Sequence, residues 1–255
     1  MKKIAVWVII AIYVALVAGF IYFEFIDRVP KTSDIMKFMT IVLSFITAAF
    51  LWKSSINRYD GTMLLTAMLL TVVTDVFLGL FGNVFIVDRL TQYNKYITGM
   101  VCYGVTMSVY FMRYQPGRPK NALILPFFLI IPVTLYFLSR NEWFFLYGDR
   151  QRMLIIVVTY YIQALLAVII SVIKRVREGL YPKTNSILLL LSLGIFIIGD
   201  ITVVLRNFDF FNIAFFSKII WLFYTPSQAL LAFSSNDYAR DRERGIYYFK
   251  KPRSA

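Results

Sequence analysis

The chain has 255 residues, of which 59% are hydrophobic and 16% charged, so most of its length cannot form the surface of a water-soluble domain. It has no histidine and a single cysteine, Cys102, which excludes a Ser-His-Asp triad, a His-ligated zinc, a Cys-cluster metal site and an intramolecular disulfide. The net charge of +13 must then be read by side of a membrane rather than as a nucleic-acid footprint.

Apolar runs of membrane-crossing length predict eight helices, at about 4–26, 35–52, 63–82, 96–112, 121–138, 153–173, 186–205 and 218–235. The expected fold is all-α, an eight-helix transmembrane bundle over residues 1–236 with a basic tail over 237–255. The first run follows Met1-Lys2-Lys3 and is longer than a signal core, without a polar stretch and small-residue cleavage site after it, so an uncleaved helix is expected. The second span carries Lys37 two residues in from its outer end. The third holds Asp75 within Thr71-Val72-Val73-Thr74-Asp75-Val76-Phe77-Leu78, and the fourth holds Cys102, Tyr103, Thr106 and Tyr110.

Pro126 and Pro132 should bend the fifth span, as Pro226 should bend the eighth. The sixth supplies Tyr160, Tyr161 and Gln163. The seventh holds Asp200 within Phe196-Ile197-Ile198-Gly199-Asp200-Ile201-Thr202, and the eighth presents Tyr224 and Gln228 four apart on one face. Trp52, Trp143, Tyr147 and Trp221, at span ends, read as an interfacial belt.

With the N-terminus inside, 17 Lys and Arg fall on the inner segments and tail against 10 on the outer side, which predicts both termini in the cytoplasm of a multi-pass protein of the cell membrane, the inner membrane in a bacterium. Lys174, Arg175 and Arg177 abut a helix end, where anionic lipid is the nearer partner; no nucleic-acid partner is expected.

A carboxylate at mid-membrane costs about 2.5–3.5 kcal/mol on insertion scales, so Asp75 and Asp200 must face partners inside the bundle. They lie at nearly equal depth on two spans running the same way. With the Tyr, Thr and Gln above they predict a buried polar pocket open toward the outer side. The plain alternatives are interhelical hydrogen-bond glue at about 0.6 kcal/mol per contact, Lys37 as an interfacial snorkel, and a buried ion pair between Lys37 and the aspartates.

These residues resemble the YhhN-type lysoplasmalogenase family of eight-helix membrane proteins. The likeness is carried by Thr74-Asp75-Val76-Phe77-Leu78, by Phe196-Ile197-Ile198-Gly199-Asp200, by the Tyr-x-x-x-Gln of Tyr224 and Gln228, by Lys37, and by Gly99, Tyr103, Met107 and Tyr110. Two positions depart from the family pattern: Phe38 follows Lys37 where a proline is usual, and Met107 stands where the family has a histidine.

The resemblance implies cleavage of the vinyl-ether bond of a lysophospholipid substrate, a lysoplasmalogen, without cofactor or metal. Asp75 and Asp200 would be the catalytic acid and base; Lys37, Tyr103, Tyr224 and Gln228 would bind substrate. A proton-coupled transporter, or a lipid-binding protein without turnover, would use the same polar pocket. If the charge bias sets topology, a fluorescent protein fused to the C-terminus will fluoresce while an alkaline phosphatase fused there stays inactive; the opposite pattern inverts the orientation.

Overall fold

A computed structural model describes residues 2–80, 89–115, 149–207 and 213–238. Within them are seven long helices: α1 Lys2–Ile21, α2 Pro30–Leu51, α3 Arg58–Asp75, α4 Arg89–Arg113, α5 Asp149–Arg177, α6 Lys183–Asn207 and α7 Ile213–Phe233. The span expected at 121–138 lies outside the described residues, as do Trp143, Tyr147 and most of the basic tail. Five helical stretches, Ile4–Ile26, Pro30–Ser54, Arg58–Leu78, Ile156–Arg177 and Lys183–Thr202, are long and apolar enough to cross a membrane. Their outward faces carry bare Trp7, Ile170, Leu191 and Ile201. Exposed aliphatic faces of that extent suit lipid rather than water.

Local sequence explains the boundaries. Pro30 sits in the first turn of α2, where its missing N–H costs nothing. Asn57 caps α3 by accepting the Asp60 amide at 2.7 Å. α5 stops at Gly179, whose φ of +66° a side chain would strain; its amide bonds the Val176 carbonyl and that of Leu180 the Arg175 carbonyl, the two closing bonds of a Schellman motif. Pro182 follows and starts α6 one residue on. Two helices widen into π turns, Tyr22–Ile26 after α1 and Val76–Leu80 directly after Asp75, a geometry that recurs near functional sites.

The helices pack as an incomplete ring in which α2, α3, α4, α5, α6 and α7 each touch the next and α7 returns to α2. α6 and α7 share the largest interface, while α1 stands outside against α2. α4 meets α5 where Gly104 gives way to an aromatic ring: a Cβ there would lie 2.1 Å from Tyr160 Cε1. The ring so placed lets the Tyr160 hydroxyl share a 3.1 Å hydrogen bond with Ser108.

One end of the ring is closed by a buried ion pair. The Arg113 guanidinium donates from Nε to Asp60 Oδ1 and from Nη2 to Asp60 Oδ2, both at 2.9 Å, and from Nη2 to Ser234 Oγ at 3.1 Å. The Tyr181 hydroxyl donates to Asp60 Oδ1 at 2.8 Å, placed by the turn that ends α5. Burial and the Asp60 charge hold the Tyr181 phenol well above its ordinary range, so it remains a donor.

Asn185 donates to the Ser234 and Asn236 carbonyls, and the segment after α2 pairs with the end of α7 through Ile56 N to Ser235 O and Asp237 N to Ser54 O. α3, α4, α6 and α7 are thus tied at one level. Arg113→Met strands the Asp60 carboxylate and should cost about 3–5 kcal/mol, read as a lowered melting temperature in detergent, whereas the double variant Asp60→Leu/Arg113→Met should recover most of the loss.

Candidate functional site

Further along the ring axis lies a second polar layer built from aspartates and phenols. Asp75 ends α3 with its side chain turned inward, 5% exposed, and accepts from the Tyr224 hydroxyl of α7 at 3.1 Å. Asp200 of α6 accepts a short hydrogen bond from the Tyr161 hydroxyl of α5. Tyr103 of α4 joins the halves: its ring stacks on Tyr161 with centroids 5.2 Å apart and meets Tyr224 edge-on at 6.4 Å. Its phenol lies within electrostatic reach of both carboxyls. Phe196, one turn before Asp200, fills the angle between Tyr103 and Tyr224. Five helices therefore deliver one group each to a carboxyl–phenol cluster.

Each carboxyl accepts a phenolic O–H, and among the described residues neither bonds a cation. That differs from the inner layer, where Asp60 is matched by Arg113. A phenol can stabilise a carboxylate or orient a carboxylic acid, so the cluster can hold a proton in more than one place.

Lys37 of α2 has other partners. Its ammonium, 3% exposed, donates to Glu24 Oε2 at 2.7 Å and to Asp34 Oδ1 at 3.1 Å. Glu24 belongs to the π turn after α1, accepts Ser33 Oγ at 2.6 Å and has Lys218 Nζ 3.9 Å from its other oxygen. This is an interlocked set of two cations and two anions. A direct Lys37–aspartate pair with Asp75 or Asp200 is not how its bonds are spent.

Lys37 still communicates with the cluster through an aromatic ring. Its Nζ lies 5.9 Å from the centroid of Trp221, whose edge meets Tyr224 at 5.4 Å. Trp221, expected as an interfacial belt residue, lies between an ammonium and the phenol that bonds Asp75. Trp52 remains at an exposed end, donating to Thr62.

Gln228, on the same face of α7 as Tyr224, points one turn further along, where it lines a cavity with Tyr110 and Met107. The structure thus brings Asp75, Asp200, Tyr103 and Tyr224 together, with Tyr161 added, and sets Lys37 and Gln228 at either flank. Tyr161 was legible as an intramembrane phenol, although no spacing singled it out. Glu24 and Asp34 were not, because both fall at helix ends where charge is unremarkable.

These elements define an all-helical membrane protein with a carboxyl–phenol cluster in its interior. A family model described as the YhhN family matches residues 32–235, and the chain belongs to that family. No curated protein and no solved structure matches the chain. The matched stretch begins after α1 and its π turn, so Glu24 falls outside it.

Lys37→Met leaves Glu24 with the more distant Lys218 and should lower stability by about 1–3 kcal/mol. Thermal unfolding in detergent reads this, and the double variant Glu24→Gln/Lys37→Met should regain more than half of it; no recovery would show that the pair is not what Lys37 holds.

Proposed function

We propose that the protein is a membrane-embedded lipid hydrolase of the lysoplasmalogenase type, cleaving the vinyl-ether bond of a lysoplasmalogen at the cluster of Asp75, Asp200, Tyr103, Tyr161 and Tyr224. The observation that carries this reading is that two carboxyls, each holding a phenol, flank one tyrosine in the bundle interior. Vinyl-ether cleavage needs only a positioned acid, a carboxylate and water, which suits a site without histidine.

The reaction runs in three steps. One aspartic acid delivers its proton to the vinyl carbon remote from the ether oxygen, giving an oxocarbenium ion beside the other, ionised carboxylate. Water adds to the cationic carbon and loses a proton to that carboxylate, giving a hemiacetal. The hemiacetal O–H then returns a proton to the first aspartate while the second gives the proton it took from water to the headgroup oxygen, and the carbon–oxygen bond to the headgroup breaks. The products are a fatty aldehyde and the glycerophospho-alcohol, and the first acid is restored.

Tyr161 and Tyr224 hold the two carboxyls in orientation, and Tyr103 offers a phenol to the developing charge. Lys37 with Trp221 flanks the cluster on the side where the phosphate of a single-chain lipid would lie. The chain of the lipid is expected to enter sideways from the bilayer.

A second reading, proton-coupled transport, draws on the two carboxyls lying on α3 and α6, which carry them at corresponding positions. Purified protein incubated with lysoplasmalogen should release aldehyde, and Asp75→Asn and Asp200→Asn should each reduce the rate by about 100-fold or more. Absence of turnover by the unaltered protein, or full rate in both variants, would refute hydrolysis. Proton flux in liposomes that Asp75→Asn abolishes would favour transport.

A further inference from the structure

Between the two polar layers, α4, α5, α6 and α7 line a half-open cavity of about 30 Å³. Its wall is mostly aliphatic, with Met107, Leu165, Val168 and Leu193 prominent. Four polar side chains interrupt it, of which Ser192 bonds the Ser227 carbonyl and Tyr114 accepts from Arg113, leaving two without a partner. Gln228 Oε1 and the Tyr110 hydroxyl are buried and make no hydrogen bond among the described residues, Thr71 being the polar neighbour of Tyr110. Gln228 is 1% exposed and Tyr110 3%. Groups of this kind are rare in folded proteins unless a water or ligand satisfies them.

The location is set by helical repeats. Met107 follows Tyr103 by four residues, Leu165 follows Tyr161 by four, Gln228 follows Tyr224 by four, and Phe196 precedes Asp200 by four. These four wall residues therefore lie one turn from a member of the carboxyl–phenol cluster, on the side of the Arg113 and Asp60 pair, and Tyr110 lies two turns from Tyr103. Tyr110 is also within electrostatic reach of Asp75.

Size selects the occupant. A cavity of about 30 Å³ clears the roughly 10–15 Å³ that one water needs and has room for no more than a few molecules of that size. An aliphatic cavity of the same size would stay dry, but two unpartnered hydrogen-bonding atoms change the balance.

We propose that this cavity is a hydration site, in which an ordered water bridges Gln228 Oε1 and the Tyr110 hydroxyl, and that it supplies the water consumed at the carboxyl–phenol cluster. The supply role rests on the hydrolase reading; the hydration site does not. In that role the water donates to Gln228 Oε1, moves one turn along the axis to the oxocarbenium carbon, passes a proton to the ionised aspartate and ends as the oxygen of the aldehyde. Bulk water then refills the site. Gln228 and Tyr110 are positioning residues for the nucleophile rather than contacts to the lipid.

The test uses the full chain purified in detergent. An experimental structure resolving ordered water should show a peak within hydrogen-bond distance of both Gln228 Oε1 and the Tyr110 hydroxyl; an empty cavity overturns the hydration site. Gln228→Leu should lower the melting temperature if a bridging water is lost, and a rise would mean that a dry, unsatisfied amide has been removed, which also overturns it. With lysoplasmalogen, Gln228→Leu and Tyr110→Phe should each lower kcat about tenfold or more with KM unchanged. A raised KM at full kcat would instead make them lipid contacts and overturn the supply role. If the unaltered protein turns over no lysoplasmalogen, the hydrolase reading and the supply role fail together, while the density and melting results still decide whether the site is hydrated.

Discussion

The Arg113–Asp60 pair is the constraint on which the interior depends. A guanidinium at 0% exposure and a carboxylate at 2% are tolerable only because the contact is two-pronged and the remaining valences are taken by Ser234 and Tyr181. Those partners come from four helices, so the pair sets the relative height of α3, α4, α6 and α7. Asp75 is fifteen residues from Asp60 along α3, and Tyr103 ten residues from Arg113 along α4. Fixing one end in register fixes the positions at which the phenols and carboxyls of the other layer can meet.

The two layers treat charge differently. The inner one neutralises its carboxylate with a cation and leaves no proton to move, and it is shut from water. Among the described residues, the other gives its carboxyls phenolic partners, a weaker match than a cation. The cavity wall between them carries no charged side chain, so a charge moving from one layer to the other would leave its partners behind. The bundle thus separates an ion pair that holds the helices from a cluster of carboxyls matched by phenols.

Much of the reactive layer was readable from the order of residues, and the reason is energetic. Asp75 and Asp200 interrupt runs otherwise too apolar to hold a charge, and Tyr224 follows the helical spacing that puts it on the interior face. Arg113 and Asp60 sit where a span is expected to meet water, a place where charge is ordinary, so nothing in the linear pattern marks them as buried partners. Lys37 was legible as a residue needing an explanation, but its acidic partners come from the loop side and from a π turn that no spacing rule foretells. The Met107 position, where the family resemblance expects histidine, proves to border the cavity.

α1 meets the rest of the bundle mainly through α2, with the Tyr13 hydroxyl on Ser44 at 2.7 Å and Glu24 reaching Ser33, Lys37 and Lys218. In the order of synthesis this is a long wait. Ser33 and Lys37 emerge soon after Glu24, yet Lys218 follows it by 194 residues and also donates to the Glu24 carbonyl at 3.0 Å. α1 can therefore be fully fastened only once α7 has been made and is in place. Its fastening reports that the chain has been threaded at least as far as α7.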